Sequence, residues 1–147
     1  MTGSETALLF VSERNACRSP MAAGLTKKML GESVGVESAG IDIGFGMPPS
    51  EAIEVMRGHG VDFGSHHVTH IRNVPLLEFT LVVAMTPSIG QVLVNEYHIG
   101  VDRSEVWDIK DPYGKGIEAY RTCAKEILSN LQRFLSKSGL IETSRSQ

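Results

Sequence analysis

A stretch close to the N-terminus constrains the fold more than any other part of the chain. Ala7–Val11 is a short continuous apolar run, which predicts a parallel strand buried on both faces. Pro20–Leu25 predicts a helix start, with Ser19 as its N-cap and Pro20 at the first helical position. A strand, a short loop and a helix N-terminus together form an anion site, because the loop N–H groups and the helix dipole attract negative charge. Arg18 adds a planar guanidinium that can pair with two phosphate oxygens.

Apolar, strand-like runs alternate with helical patterns along the rest of the chain. This alternation predicts an α/β fold with a parallel sheet covered on both faces, whose functional site lies at the carboxyl ends of the strands. The loops that contain Ser12 and Asp111 follow the first and the fourth run, so we expect them at the same rim. The predicted strands are Ala7–Val11, Val34–Ser38, Thr80–Ala84 and Glu105–Asp108, and the predicted helices lie near Ser19–Leu30, Ser50–His59 and Ser88–Tyr97.

The last helix has the clearest periodicity. Its apolar residues recur at steps of three and four, which places them in one stripe that faces the core. Ser138-Gly139 is predicted to end this helix, and residues 142–147 are predicted to form a frayed tail. The stripe consists of Tyr120, Ala124, Ile127, Leu128, Leu131, Phe134 and Leu135.

The composition is that of an ordinary globular protein. A chain of 147 residues with 41% hydrophobic residues is expected to form one domain, residues 1–147, with a full core. A formal net charge of −3 argues against nucleic acid and anionic membranes as partners. No stretch is long and apolar enough to span a bilayer, and the polar first residues do not resemble a secretory signal. Two cysteines, Cys17 and Cys123, form no disulfide framework, which favours a reducing cytoplasm.

The loop after the first run resembles the phosphate-binding loop of the low-molecular-weight protein tyrosine phosphatases. In that loop a nucleophilic Cys is followed by five residues, then by Arg and Ser-Pro. Ser12 occupies the nucleophile position, and Glu13 and Arg14 also depart from the family pattern, which has Gly where Arg14 stands. The residues that match are Asn15, Cys17, Arg18, Ser19 and Pro20.

The resemblance extends over nearly the whole chain. Ser38-Ala39-Gly40 resembles the end of the family's second strand, and residues 81–86 resemble the third strand and the turn after it. His66 follows residues 60–65 much as a His follows the corresponding family segment, and Asp111-Pro112-Tyr113-Gly114 resembles the loop that supplies the general acid. The implied fold is a three-layer, doubly wound, four-stranded parallel sheet of the phosphotyrosine protein phosphatase I type.

The resemblance also implies a chemistry and a set of partners. A thiolate would attack phosphorus, and Asp111 would protonate the leaving group and then activate water. The partners would be phosphorylated proteins, small phosphate esters and free phosphate or sulfate, and no cofactor or metal is expected. The implied phosphate-binding residues are Glu13, Arg14, Asn15, Ala16, Cys17, Arg18 and Ser19.

Ser12 conflicts with this mechanism. A hydroxyl has a far higher pKa than a thiol, so a Ser nucleophile needs an adjacent general base. Asp111 is needed as an acid in the same step. We therefore expect a very poor phosphatase that still binds phosphate, either as an inactivated form of the enzyme or as a natural pseudophosphatase. An introduced Cys-to-Ser exchange would leave the neighbouring residues unchanged, so Glu13 and Arg14 favour natural divergence. These two residues could also strain, remodel or close the loop.

Several of these residues have more than one interpretation. Asn15 is a turn residue that tolerates positive φ, an organiser of the loop, or both. Ser19 is only a helix cap, or it also faces the nucleophile position as the resemblance implies. Cys17 is expected to be a small buried hydrophobe rather than a displaced nucleophile, and Cys123 is expected to pack beside the stripe of the last helix.

Two aromatic residues and three histidines complete the candidates. Phe45 and Tyr113 are candidate walls for an aromatic substrate ring, with ordinary packing as the alternative. His66 and His70 have a spacing that suits a metal site on one helix face, but no acid or Cys completes the set nearby. We therefore expect one structural His among His66, His67 and His70, and two that are solvated.

Overall fold

The computed structural model of the protein describes residues 6–44 and 46–141, and it contains a four-stranded parallel sheet. The strands lie in the order β2-β1-β3-β4, and every neighbouring pair is parallel. This topology confirms the predicted α/β class. The predicted second strand began one residue early and stopped two residues early. The predicted fourth strand began one residue late and ran two residues too far. The strands are β1 (Ala7–Ser12), β2 (Gly35–Gly40), β3 (Leu81–Ala84) and β4 (Ser104–Val106).

Strand β1 is central and separates two apolar cores. Leu8 and Phe10 belong to one core and Leu9 and Val11 to the other, because successive side chains of a strand point to opposite faces. All four residues are fully buried. A strand covered on both faces needs apolar residues at every position, which explains the unbroken run in the sequence.

Within the described residues, four α-helices cover the two faces of the sheet. Residues of α1, α2 and α4 share the core that contains Phe10, whereas α3 packs on the opposite face. The predicted stripe of the last helix is confirmed, since all its members are buried except the partly buried Leu128. This helix ends at Lys137 and is followed by Ser138, as predicted, whereas the predicted tail lies outside the described residues. The helices are α1 (Arg18–Leu30), α2 (Ser50–Gly58), α3 (Pro87–Tyr97) and α4 (Ile117–Lys137).

The predicted start of α1 was wrong by two residues. The helix begins at Arg18, and the capping position falls on Cys17, whose side chain makes no capping bond. Ser19 therefore lies inside the first turn rather than before it. Pro20 is the third helical residue, which is tolerated because the N–H groups of a first turn have no intrahelical partner. The hydroxyl of Ser19 is used elsewhere, as described below.

The topology brings two loops together at the carboxyl edge of the sheet. The loop at residues 13–17 joins β1 to α1, and the segment after β4 runs along β3 before it reaches α4. Trp107 N–H donates to the Ala84 carbonyl, and Ile109 N–H donates to the Met85 carbonyl, each at 2.8 Å. These bonds hold the segment that carries Asp111 beside the first loop, as the chain order predicted.

Gly40, at the end of β2, allows the loop after β1 to approach closely. A Cβ atom at this position would lie 2.8 Å from the Arg14 carbonyl carbon and 2.9 Å from the Asn15 nitrogen. Backbone atoms cannot give way as a flexible side chain can. We therefore expect Gly40→Ala to lower the free energy of unfolding by roughly 1–3 kcal/mol and to displace the loop.

Gly35, in the same strand, provides a matched control. A Cβ atom there would approach no atom closer than 3.5 Å, which is ordinary contact. Urea unfolding of Gly40→Ala and Gly35→Ala tests the prediction, and equal stability of the two variants would contradict it.

Candidate phosphate-binding site

The loop between β1 and α1 presents a row of backbone donors that have no protein partner. Among the described residues, six N–H groups of this segment donate no hydrogen bond. Backbone N–H groups without a protein partner that converge at a helix N-terminus attract anions. The loop therefore has the electrostatics of an anion site. These six groups belong to Glu13, Arg14, Ala16, Cys17, Arg18 and Ser19.

Ser12 lies at the base of this loop and is buried, with 2% of its surface exposed. Its Oγ lies 2.6 Å from Ser19 Oγ and accepts the N–H of Asn15 at 3.2 Å. These are its only side-chain hydrogen bonds within the described residues. No imidazole or carboxylate contacts this oxygen, so the site contains no group that would take its proton.

Asn15 holds the loop in shape. Its φ is 60°, which is uncommon for a residue other than Gly, and it is fully buried. Its Nδ2 donates to Ser19 Oγ and to Ser38 Oγ, each at 2.9 Å, and its Oδ1 accepts the N–H of Thr69 at 2.9 Å. Both proposed roles of Asn15 are therefore present together, because the side-chain bonds support the left-handed backbone.

Three residues from outside the loop support Asn15. His66 Nε2 donates to the Asn15 carbonyl at 2.7 Å, Thr69 N–H donates to Asn15 Oδ1, and Ser38 Oγ accepts from Asn15 Nδ2. Sequence reasoning placed none of these three residues in the site. The position of Ser38 near the end of a strand beside β1 was a usable signal, whereas nothing in the sequence indicated Thr69.

Arg18 and Asp111 meet at the rim. The Arg18 side chain is 11% exposed, and its Nη1 donates to the Ile109 carbonyl at 2.9 Å. Its Nη2 lies 3.9 Å from Asp111 Oδ2, and the Asp111 side chain is 55% exposed. Asp111 Oδ1 accepts the N–H of Tyr113, which makes a short turn. The loop arginine and the candidate acid thus lie side by side, with the carboxylate accessible from solvent.

Glu13 and Arg14 neither strain nor close the loop. Both side chains are exposed, and the described residues contain no ion pair between them. Among those residues only Asn15 and His98 combine a side chain with positive φ, so Arg14 does not occupy a position that requires Gly. The Glu13 carbonyl accepts the N–H groups of Ile41 and Asp42, which ties the loop to the end of β2.

Cys17 points into the core and not into the loop. It is 7% exposed, and its Sγ lies 3.6 Å from Met21 Sδ. The neighbouring Cys123 thiol, together with burial, raises the pKa of the Cys17 thiol far above its ordinary value. A thiol of this kind is not a nucleophile near neutral pH. Cys123 is buried beside the stripe of α4, so both cysteines pack as expected.

The remaining candidates occupy separate positions. Tyr113 is 71% exposed and can contact a bound ligand only from the rim, whereas Phe45 lies outside the described residues. The segment that carries the histidines is not helical, and His70 Nδ1 accepts the N–H of Arg72. His67 is exposed. No group of three potential metal ligands occurs in the part of the chain that the structure describes.

A sequence model described as "Low molecular weight phosphotyrosine protein phosphatase" matches residues 7–143. The chain belongs to this family. A low-molecular-weight protein tyrosine phosphatase from T. tengcongensis is similar in structure, with a TM-score of 0.81 and 33% identity over 90% of this chain and 99% of that one. A protein-arginine-phosphatase of Geobacillus stearothermophilus is 30% identical to this chain, and the match covers 88% of this chain and 94% of the relative. An arsenate reductase of Staphylococcus aureus is 32% identical, and the match covers 88% of this chain and 96% of the relative.

Family membership confirms the resemblance found in the sequence but leaves the substrate open. The names of these relatives cover three different activities. No helix within residues 6–44 and 46–141 is long and apolar enough to cross a membrane.

Two substitutions of Asn15 separate its hydrogen bonds from its backbone conformation. Asn15→Gly keeps the left-handed φ accessible but leaves the Thr69 N–H without its acceptor, so we expect a loss of about 1–3 kcal/mol in unfolding free energy. Asn15→Ala loses the same hydrogen bonds and in addition places a residue with a Cβ atom at positive φ. We therefore expect its unfolding free energy to lie about 1 kcal/mol below that of Asn15→Gly. Urea unfolding measures both losses, and a fully stable Asn15→Gly variant would contradict the network described above.

His66 makes the stability of the protein depend on pH. Burial lowers the pKa of His66, and the positive charges of His67 and Lys27 lower it further, against the opposing effect of the Asn15 carbonyl. Between this lowered pKa and the ordinary value of about 6.5, the unfolded chain binds more protons than the folded one. His66 therefore makes its full contribution to folding stability above about pH 6.5. This contribution decreases as the pH falls from there through the lowered pKa of His66.

His66→Gln tests this prediction, because its amide can still donate to the Asn15 carbonyl while it does not titrate. We expect a weaker loss of stability between about pH 7 and pH 5 in this variant, measured by urea unfolding. The matched control is His98→Asn, an exposed histidine after α3 that does not act on His66 and whose left-handed backbone suits Asn, so this variant should keep the parental slope. An unchanged slope in His66→Gln would refute the assignment.

Proposed function

We propose that this protein binds phosphate monoesters of the phosphotyrosine type in the loop from Ser12 to Ser19 and hydrolyses them very poorly. The observation that carries the proposal is the surroundings of Ser12 Oγ. This oxygen lies beneath a row of unpaired N–H donors, yet it contacts only a hydroxyl and an N–H group in the described structure. The loop can therefore hold an anion but cannot generate a strong nucleophile.

Three features support binding. The N–H groups of the loop and the start of α1 favour a dianion, and the adjacent Arg18 guanidinium can contribute two further donors. Ser12 is neutral, so it does not repel the bound phosphate as a thiolate would. The hydrogen bonds of Asn15 keep this arrangement formed before any ligand arrives, which reduces the ordering cost of binding.

Hydrolysis would need Ser12 Oγ to attack phosphorus while the bond from phosphorus to the leaving oxygen breaks. Asp111 would supply a proton to that oxygen, and the Ser12 proton would need a separate acceptor. Within the described residues its only hydrogen-bonding neighbours are Ser19 Oγ and the Asn15 N–H, and neither is a base. Even a phosphorylated Ser12 would then need water activated by Asp111. The first step is therefore the one that we expect to fail.

We assign phosphotyrosine-type esters, on a protein or a small molecule, as the ligands, and free phosphate or sulfate as weaker ones. The exposed Tyr113 is a candidate wall for an aromatic ring at the rim, and Glu13, Arg14, Ala16, Cys17 and Ser19 would contribute mainly backbone groups. Arsenate reduction is not favoured, since both cysteines are buried and neither faces the loop. Two free thiols also favour a cytoplasmic location.

The alternative function is that of a natural pseudophosphatase, which binds a phosphorylated partner and was never selected to turn it over. The exposed Glu13 and Arg14 favour it, because both depart from the family pattern at the mouth of the site. The two functions share the binding step and differ in whether the rest of the site is still arranged for catalysis.

Restoring the thiol separates these possibilities. We expect Ser12→Cys to hydrolyse p-nitrophenyl phosphate at least roughly 10³-fold faster than the parent chain, because only the nucleophile is missing. Ser12→Ala is the matched control and should stay as slow as the parent. A shift in melting temperature with inorganic phosphate, lost in Arg18→Ala, measures binding independently of turnover.

Each outcome has a distinct meaning. Turnover in Ser12→Cys alone supports a phosphatase that has lost its nucleophile. Phosphate binding without turnover in any variant supports the pseudophosphatase. Absence of both binding and turnover would show that the loop is not a phosphate site and would reject the proposal.

A further inference from the structure

Strand β4 forms one edge of the sheet and pairs with β3 on one side only. The N–H groups of successive residues in a strand point in opposite directions. Those of Trp107 and Ile109 donate to carbonyls at the end of β3. The N–H groups of Val106 and Asp108 therefore point away from the sheet. Within the described residues, the Asp108 N–H has no acceptor.

The opposite edge of the sheet differs, because β2 is covered at its end. Gly40 forms a bridge with His70, and its N–H donates to the Thr69 carbonyl at 2.8 Å. Natural proteins often protect a bare edge with lysine or proline at its outward positions. Ser104 and Val106 are neither, and no described segment pairs with the outer side of β4. The β4 edge is thus open to a further strand.

The exposure of side chains alternates along this edge. Trp107 and Ile109 are buried, whereas Val106, Asp108 and Lys110 are exposed. A regular alternation of this kind shows that the segment stays extended beyond the last residue of β4. The edge therefore offers a straight row of outward backbone groups from residue 104 to residue 108.

An apolar strip of Val94 and Val106 lies beside the open edge. Val106 is 48% exposed and contacts α3 at Gly90, where an added Cβ atom would lie 3.0 Å from a methyl group of Val106. Val94 follows Gly90 by four residues on the same side of the helix and is 40% exposed. A strand added at this edge would cover the apolar strip.

The charges around Val106 are arranged symmetrically and with opposite sign. Asp102 precedes Val106 by four residues and Lys110 follows it by four. Both side chains are exposed, and neither forms an ion pair within the described residues. If two copies of the chain pair antiparallel with Val106 opposite Val106, Asp102 of each copy faces Lys110 of the other. Opposite charges at facing positions stabilise a strand pair.

Other registers of the same pairing lose this complementarity. The outward backbone groups recur at every second residue, so the nearest alternatives are shifted by two. One such shift places Asp108 opposite Asp102, which brings like charges together. The other places Asp108 opposite Val106 and Lys110 opposite Ser104. The charges therefore select a two-fold axis at Val106 among these registers.

We propose that the β4 edge is an interface at which two copies of this chain pair antiparallel about a two-fold axis through Val106. The Val106 N–H of each copy donates to the Val106 carbonyl of the other. The Asp108 N–H donates to the Ser104 carbonyl across the axis, and the Ser104 N–H donates to the Asp108 carbonyl. The apolar strips of both copies meet beside the axis. Such an interface is closed and self-complementary, so it stops at the dimer.

The dimer joins the two sheets into one and leaves the phosphate loop free. Its contacts involve neither the loop nor Arg18 and Asp111, so the interface does not depend on the proposed function. The paired segment is short, and its apolar strip is small. We therefore expect a weak, reversible dimer rather than an obligate one.

Amide hydrogen exchange of the full chain at millimolar and micromolar concentration tests the pairing directly. We expect the N–H groups of Val106 and Asp108 to be protected only at the higher concentration. The Trp107 N–H lies inside the sheet and should be protected at both. Equal exchange of Val106 and Asp108 at the two concentrations would overturn the proposal, whether these groups are protected or not.

A lysine at the centre of the edge tests the surface. We expect Val106→Lys to weaken the dimer at least about tenfold in sedimentation equilibrium, because an edge lysine opposes a second strand. Met47→Lys is the matched control, since Met47 is an exposed apolar residue in the loop after β2 and should leave the dimer unchanged. A dimer that survives Val106→Lys would overturn the proposed surface. Urea unfolding establishes that both variants are folded.

Exchanging the two charges tests the register. Asp102→Lys and Lys110→Asp should each weaken the dimer about three- to tenfold, because each places two pairs of like charges across the axis. Combining the two substitutions restores opposite charges and should return the affinity to that of the parent chain. A double variant that is weaker than either single variant would overturn the register.

Discussion

The buried side chain of Asn15 holds the loop between β1 and α1 in shape, and the proposed function depends on that shape. A residue with a Cβ atom at φ 60° is unfavourable unless the surroundings compensate. Here three side-chain hydrogen bonds compensate, and they connect the loop to β2 through Ser38, to α1 through Ser19 and to a distant segment through Thr69. Because the loop is tied from three directions, its N–H groups are oriented before a ligand binds.

This arrangement separates anion binding from chemistry. The backbone donors and Arg18 need only the loop conformation, which Asn15 and Gly40 maintain. Catalysis needs in addition an ionised nucleophile, and the hydroxyl of Ser12 has no base beside it in the described structure. The proposed function follows from this separation, because the loop keeps its donors whether residue 12 carries a hydroxyl or a thiol. The thiol of Cys17 cannot substitute, because it points into the core.

Much of the fold was predictable, and the errors have local causes. The unbroken apolar run of β1 and the periodic stripe of α4 are strong signals, since each follows from burial on a defined face. The start of α1 was placed too late because Ser19 followed by Pro20 has the pattern of a cap. In the structure the Ser19 hydroxyl bonds to Ser12 and Asn15 instead, and that contact cannot be inferred from local propensity.

The sequence by itself determined the strand, loop and helix at the N-terminus, the match of residues 15 and 17–20 to a phosphate loop, and the change at Ser12. These features are local, so neighbouring residues specify them. Only the tertiary structure decided that His66 and Thr69 support Asn15, which lies 51 and 54 positions away. Contacts across such distances depend on the crossover connections of the sheet, which no local pattern encodes.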